Sequence, residues 1–145
     1  MGKSKYFKNK EEFVKVMTAL CDRLKCDPKV GADVAKANVI VRFEYSDPDA
    51  AVTINGRDKP ETPGDFISYC WDSKTPEPDV VMINSADFSH RFWHGKENPM
   101  LAIAMGKMKT KGDAAKALAL LPAIKPAFKI YPEVLKELGR KDLVL

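Results

Sequence analysis

Cysteine is rare in this chain of 145 residues, and its spacing excludes two common kinds of scaffold. Cys21, Cys26 and Cys70 are odd in number and contain no C-x-x-C pair. This argues against a disulfide-stabilised fold and against a structural zinc site. We therefore predict three reduced thiols that fill space in the core of a cytoplasmic protein.

Long apolar runs and a strong excess of one charge are also missing. The first residues, MGKSKYFKNKEE, hold lysines but no apolar stretch long enough for a signal peptide or a membrane-spanning helix. The last residues, DLVL, match no peroxisomal or retention signal. The net charge of +4 is small for a dedicated nucleic-acid-binding protein, and acidic residues interrupt the basic ones. These features predict a cytoplasmic protein that does not bind nucleic acid.

Motifs for covalent catalysis and nucleotide binding are absent as well. The chain has no Gly-x-Ser-x-Gly elbow and no glycine-rich phosphate loop followed by Lys-Ser or Lys-Thr. Cys70 lies in a stretch of aromatic residues, where a thiol is usually buried and unreactive. Nucleophilic catalysis therefore has little support in the sequence.

Hydrophobic periodicity in the first half of the chain predicts two helices followed by four strands. Apolar residues from Phe13 to Leu24 recur at helical spacing, which predicts an amphipathic helix over about residues 10–25. Asp27-Pro28 is a typical start for a second, short helix. Alternation of side chains and intervening turn residues then predict strands in NVIVRFEY, AVTIN, FISYCW and VVMIN, the first two paired antiparallel.

Capping residues divide the second half into helices around one more strand. The residues NS after the fourth strand provide capping oxygens for a helix that ends at Gly95. Asn98-Pro99 opens a helix over MLAIAM, and KMKTK is the predicted fifth strand. A helix rich in alanine and leucine follows, and a last short helix is predicted over residues 133–138. This order predicts an α+β fold in one domain over residues 1–145, with about five mostly antiparallel strands and helices on one face.

Two segments in this second half carry an open question. MLAIAM is apolar at every position, so we expect it to be covered on several sides, either by the core or by an apolar guest. In KMKTK three lysines share one face of the strand. Either these lysines protect a sheet edge from further pairing, or they attract anionic lipid headgroups.

Residues 79–120 combine several short motifs in a fixed order. The stretch DVVMINSADFSHRFWHGKENPMLAIAMGKMKTKGDAAKALAL holds a short helix with a phenylalanine, a Gly-Lys pair, an Asn-Pro that opens an apolar helix, and a Gly-Lys-x-Lys-x-x-Gly strand. These are Asp87-Phe88, Gly95-Lys96, Asn98-Pro99 and residues 106–112. In order and spacing the stretch resembles the sterol carrier protein type 2 family.

The resemblance implies a lipid carrier that is not an enzyme and needs no cofactor. Such proteins hold a fatty acid, a fatty acyl-CoA, a sterol or a phospholipid in an apolar tunnel between the sheet and the helices. The lysine strand is then a candidate for transient contact with an anionic membrane surface. Segment 122–145 is either a lid over the tunnel or an extension of the core. The residues predicted for the tunnel wall are Phe88, Phe92, Met100, Ile103, Met105, Met108, Leu118 and Leu121.

Two other functions are compatible with the sequence. Asp87, His90 and His94 share one helical face at spacings that suit a metal ion, which predicts a metal-binding protein or a metal-dependent enzyme. The H-E-x-x-H motif is absent, however, and two surface histidines with an aspartate near a helix N-terminus explain the same residues. The other alternative is an interaction module with a solid core, which predicts no interior cavity.

Overall fold

The computed structural model describes residues 4–145, in which helices and strands follow the predicted order except for one additional short helix, Leu121–Ile124, before the last helix. The helices are α1 Lys10–Lys25, α2 Val30–Ala37, α3 Ala86–Trp93, α4 Pro99–Ala104, α5 Ala114–Ala119, α6 Leu121–Ile124 and α7 Ala127–Glu137. The strands are β1 Ile40–Ser46, β2 Ala50–Asn55, β3 Ser68–Trp71, β4 Val80–Ser85 and β5 Lys109–Gly112. A 3₁₀ turn, Lys141–Leu143, follows α7.

The strands form one sheet in the order β3-β2-β1-β4-β5. β1 pairs antiparallel with β2, β2 with β3, and β4 with β5, whereas β1 and β4 run parallel. The sheet is therefore mixed but mostly antiparallel, with β5 as the lysine-bearing edge strand. The α+β fold class predicted from the sequence is confirmed.

Helix α1 forms because its apolar residues recur on one face and its ends are capped. Phe13, Leu20 and Leu24 belong to the buried stripe, and the Asn9 side chain accepts a hydrogen bond from the Glu12 N–H at 2.9 Å. The stripe places α1 against α2 and α7. Neither α1 nor any other helix within residues 4–145 combines the length and the apolar character of a membrane span.

Ser85 and Asn98 cap α3 and α4 as the sequence predicts, whereas Asn84, the other predicted cap of α3, lies within β4 and does not cap the helix. Ser85 Oγ accepts a hydrogen bond from the Phe88 N–H at 3.0 Å, and Asn98 Oδ1 accepts one from the Leu101 N–H at 3.2 Å. Gly95, with φ +74°, directly follows the C-cap of α3 in the left-handed conformation that glycine tolerates. These local signals place α3 directly after β4, so its side chains lie near the end of the central strands.

The C-terminal helix is longer than the sequence predicts. α7 begins at Ala127 rather than near residue 133, and it contains Pro132. Proline removes one backbone donor from a helix, but Tyr131 and Leu135 are both 0% exposed in the core. Burial of such large side chains outweighs the lost hydrogen bond, so α7 is part of the core and not a lid.

Two element starts also differ from the prediction. α2 begins at Val30 rather than at Pro28, although the Asp27 carboxylate accepts hydrogen bonds from the N–H groups of Lys29 and Val30. β3 begins at Ser68 rather than at Phe66, because the Phe66 N–H donates to the Lys25 carbonyl at 2.8 Å instead of to a neighbouring strand. This contact ties the loop before β3 to the end of α1.

Candidate functional site

A largely apolar cavity of about 110 Å³ lies between one face of the sheet and the helices that cover it. Side chains from β1–β4 form its floor, and side chains from α1, α2, α3, α5 and α6 form its walls. Pro99 at the start of α4 and Met108 before β5 complete the lining. The presence of this cavity contradicts the solid-core alternative.

The floor follows from the alternation of side chains along β1. Val41, Phe43 and Tyr45 face the cavity, whereas Arg42 and Glu44 belong to the opposite face of the sheet. Val41 and Tyr45 are buried, but Phe43 is only half-buried although its strand is the central one. The cavity accounts for this difference because it leaves part of the phenylalanine ring uncovered.

Helix α1 supplies a wall that we did not predict from its sequence. Met17, Leu20, Cys21 and Leu24 all line the cavity. They are spaced three and four residues apart and lie on the same apolar stripe from which the helix is predicted. That pattern shows which side of α1 is buried, but it does not distinguish a side that faces packed core from one that faces a gap.

The predicted wall residues divide into three groups. Phe92, Met108, Leu118 and Leu121 line the cavity. Phe88 is buried and its ring stacks near that of Phe92 at 6.5 Å between centroids, but it lies outside the lining. The third group lies on α4 and its C-cap, also outside the lining, and comprises Met100, Ile103 and Met105.

Helix α4 is less covered than its composition predicts. Met100 and Met105 are each 61% exposed and Leu101 is 57% exposed. The expectation that this apolar helix is covered on several sides is therefore wrong. The helix has six residues and meets the core mainly through Ala102 and the half-buried Ile103, so its other side faces solvent.

A few polar groups interrupt the apolar lining. Asn84, Tyr45, Ser89 and Cys21 all contribute to it. Burial raises the pKa of the Cys21 thiol to about 12 and moves the pKa of Tyr45 well above its usual range. Both groups are therefore neutral at physiological pH, and the cavity disfavours negative charge.

The histidines on α3 bind neighbouring chain segments, not a common ion. His90 is 0% exposed, and its ring nitrogens lie 2.7 Å from the Tyr131 hydroxyl and 2.7 Å from the Leu143 carbonyl. His94 Nδ1 donates to the His90 carbonyl at 2.8 Å, and the Asp87 carboxylate accepts from the N-terminal segment. Within residues 4–145 no three potential ligands cluster, so the metal-site hypothesis is wrong. The expectation of a surface histidine is also wrong for His90.

The cysteines occupy different environments from those predicted. Cys26 and Cys70 are exposed and only Cys21 packs inward, so the prediction of three core thiols is wrong. Cys70 faces outward because its neighbours in β3, Tyr69 and Trp71, face the core side of the sheet. Alternation along the strand therefore decides its exposure.

The sequence of the chain matches a known family over most of its length. A model of the SCP-2 sterol transfer family matches residues 17–125. The chain belongs to this family. The match spans the whole cavity lining, from Met17 in α1 to Ile124 in α6. Membership in the SCP-2 family makes lipid binding and transfer the general function of the chain. A comparison with curated proteins found no match to the sequence.

Solved structures of SCP-2 proteins share the fold. The solution structure of sterol carrier protein domain 2 from Helicoverpa armigera is 22% identical, with a TM-score of 0.60, over 88% of this chain and 94% of that chain. Apo sterol carrier protein 2 from Yarrowia lipolytica is 22% identical, with a TM-score of 0.56, over 86% of this chain and 95% of that chain. The sec-alkylsulfatase Pisa1 from Pseudomonas sp. is 17% identical, with a TM-score of 0.51, over 63% of this chain and 14% of that chain. The fold therefore also occurs as one part of a larger enzyme.

Proposed function

We propose that this protein binds and carries an apolar lipid without catalysing a reaction, and that the cavity opens into a tunnel for the lipid chain. The ligand classes are a fatty acid, a fatty acyl-CoA, a sterol-like lipid or a phospholipid. The observation that carries the proposal is the apolar cavity, whose lining lies within the residues that match the SCP-2 family. Four of the predicted wall residues, Phe92, Met108, Leu118 and Leu121, support the tunnel at this position.

The cavity must widen before it accepts a long acyl chain. Its volume of about 110 Å³ is below the size of about 150 Å³ at which an apolar cavity accepts a benzene ring. α5 and α6 form the wall best suited to move, because α5 buries only Ala117 and α6 buries no residue. Segments with few buried contacts open at a lower free-energy cost than the core does.

Chain length should control affinity more than the headgroup does. Each buried CH₂ contributes about 0.8 kcal/mol, so two additional methylenes should tighten binding roughly tenfold until the tunnel is filled. The affinities of a series of fatty acids, measured by displacement of a fluorescent acyl probe, would check this dependence.

A pair of Leu→Trp substitutions tests the location of the tunnel. Leu121 lines the cavity and is half-buried, so Leu121→Trp should fill the space and weaken probe binding about tenfold or more. Leu101→Trp is the matched control, because Leu101 is 57% exposed on α4 and lies outside the lining. The control should bind the probe like the wild type, and circular dichroism would verify that both variants fold.

The outcomes of this experiment separate the site from the function. If the wild type and Leu121→Trp bind the probe equally well, the lipid binds outside this cavity. A wild-type protein that binds no member of the lipid series would refute the carrier function. Native mass spectrometry of gently purified protein would then show whether any lipid mass accompanies the chain.

We further propose that α4 and the lysines around it make transient contact with an anionic membrane surface. Met100, Leu101 and Met105 form an exposed apolar group, here called the α4 patch. Lys96 before the helix and Lys107 after it are exposed, and β5 adds two further exposed lysines. Apolar side chains flanked by lysines suit an interface between acyl chains and acidic headgroups.

Vesicle binding tests the α4 patch. The acidic residue between Lys96 and the helix, Glu97, already pairs with Arg91 at 2.8 Å, so the surface remains positively charged. Met105→Glu should weaken sedimentation with phosphatidylserine-containing vesicles about tenfold and leave probe binding in solution unchanged. Phe66→Glu, at an exposed aromatic residue before β3, is the control and should sediment like the wild type. Equal sedimentation of both variants would contradict membrane contact through α4.

The cytoplasmic location stays a prediction from the sequence. The thiols of Cys26 and Cys70 are free and exposed, which suits a reducing compartment. Fractionation of cells that produce the protein would check it, and recovery outside the cytoplasm would contradict it.

A further inference from the structure

One side chain in the cavity lining has no use in a purely apolar carrier. Asn84 is 6% exposed, and its Oδ1 atom has no hydrogen-bond partner within residues 4–145. A buried amide oxygen without a partner is costly, and native proteins seldom keep one without a use. Asn84 therefore needs a partner from outside the described chain.

Asn84 lies at one end of the cavity together with two hydroxyl groups. It occupies the inner face of β4, and in the parallel ladder it stands opposite Tyr45 of β1. Ser89 on α3 also lines the cavity, and its Oγ lies 3.9 Å from the Sδ atom of Met17 on α1. We call Tyr45, Asn84 and Ser89 the polar end of the cavity.

One charged side chain lies toward the other end of the cavity. It belongs to Lys25 and is the only charged one among the described residues that form the lining. Met17 and Lys25 are eight residues apart on α1, which corresponds to about 12 Å at a rise of 1.5 Å per residue. Lys25 Nζ lies 3.4 Å from Asp65 and 3.6 Å from Asp22, with 28% of its side chain exposed.

The surroundings of Asn84 fit a neutral group and not an anion. No lysine or arginine lines the polar end in the described part of the chain. Burial raises the pKa values of Cys21 and Tyr45, so these groups also stay uncharged beside a ligand. A carboxylate placed here would lose its hydration without gaining a cation. A hydroxyl group, in contrast, supplies the donor that Asn84 Oδ1 lacks.

We propose that Asn84 accepts a hydrogen bond from a hydroxyl group of the lipid, so that the protein prefers a neutral, hydroxyl-bearing lipid with its polar group innermost. The apolar chain then extends along α1 toward Lys25. A fatty acid, in contrast, binds with its carboxylate outward, toward solvent, because Lys25 is already paired with Asp65 and Asp22. This inference rests on the proposed carrier function and adds to it the ligand's direction and the residue that selects it.

Two ligands of equal chain length test the inference on the wild-type protein. 1-Decanol donates a hydrogen bond, whereas decyl methyl ether only accepts one and carries slightly more apolar surface. Displacement of a fluorescent acyl probe should show that the alcohol binds about tenfold more tightly than the ether. Because this comparison uses the wild-type protein, it does not depend on whether any variant folds.

Asn84→Leu removes the amide at similar volume. The variant should bind the alcohol and the ether with equal affinity. Without ligand it should also unfold at a higher urea concentration than the wild type, because it no longer buries an unpaired amide. Leu118→Ala is the control in the same lining, and it should lower the binding affinities of the alcohol and the ether by the same factor.

The outcomes distinguish this inference from the carrier function. Equal binding of alcohol and ether to the wild type would overturn the role of Asn84, as expected if an ordered water is its only partner. A retained preference for the alcohol in a folded Asn84→Leu protein would overturn it as well. Failure of every ligand to bind the wild type would instead refute the carrier function, and this inference with it.

Discussion

A fall in pH from 7.5 to 4.5 should destabilise the protein through one buried ring, that of His90. The ring packs against Tyr6 at 4.4 Å and Tyr131 at 5.5 Å between centroids. Because a backbone carbonyl only accepts, Nε2–H must donate to Leu143, and Nδ1 then accepts from the Tyr131 hydroxyl. Both nitrogens are satisfied in the neutral form of the ring.

Burial, assisted by the nearby His94, lowers the pKa of His90 from 6.5 to about 4. The unfolded chain therefore binds a proton more readily than the folded chain does. His90 costs no stability above pH 6.5, and the free energy of unfolding should fall as pH drops from 6.5 to 4. The full difference amounts to about 3 kcal/mol, since a tenfold change in proton affinity corresponds to about 1.4 kcal/mol.

Urea denaturation at several pH values between 7.5 and 4.5 measures this loss. In His90→Gln the side chain still offers a donor and an acceptor but does not titrate, so this variant should lose less stability on acidification than the wild type. His94→Gln is the control. This variant should still lose most of the stability that the wild type loses on acidification, because it keeps the buried His90 ring. Equal pH dependence in the wild type and His90→Gln would refute the reasoning.

Three further experiments test the fold and the lining. Gly112→Ala should lower the free energy of unfolding, measured by urea denaturation, by about 3 kcal/mol, because φ is +89° and an added Cβ would clash with the Asp79 carbonyl. Gly106→Ala, at φ +76° with open space around it, should lower it by only about 1 kcal/mol. Equal losses in the two variants would contradict this geometry. Leu135→Ala, at a fully buried position of α7, should lower the free energy of unfolding by about 3 kcal/mol, whereas Leu101→Ala, at an exposed position, should lower it by less than about 0.5 kcal/mol. A small loss of stability in Leu135→Ala would show that α7 is not part of the core. With a thiol reagent at pH 8, the exposed Cys26 and Cys70 should react rapidly and the buried Cys21 slowly. An acyl ligand in the cavity should slow the reaction of Cys21 further. Equal reaction rates for the three thiols would place Cys21 outside the cavity.

The element order was predictable because its signals are local. The Ser85 and Asn98 caps act within three residues of themselves, and the alternation of β1 depends only on successive side chains. α7 was mispredicted because Pro132 is a local signal against a helix, whereas the burial of Tyr131 and Leu135 is a tertiary one. Where the two kinds of signal compete, the larger buried area decides.

The candidate site was only partly predictable for the same reason. The family resemblance predicts Phe92, Met108, Leu118 and Leu121 as wall residues, and all four line the cavity. It also predicts Met100, which faces solvent because a six-residue helix meets the core through one side only. The apolar character of a side chain does not reveal whether it faces the core, a cavity or water.

The sequence by itself determined the order of most helices and strands, the caps at Ser85 and Asn98, and the family of this protein, because these depend on spacing along the chain. The tertiary structure decided which apolar side chains surround empty space, that His90 is buried, and that Asn84 lies in an apolar lining without a partner. These properties arise from residues far apart in the sequence, such as Met17, Tyr45 and Leu121, that meet only when the helices pack on the sheet. A cavity is a gap between packed elements, and no single element encodes it.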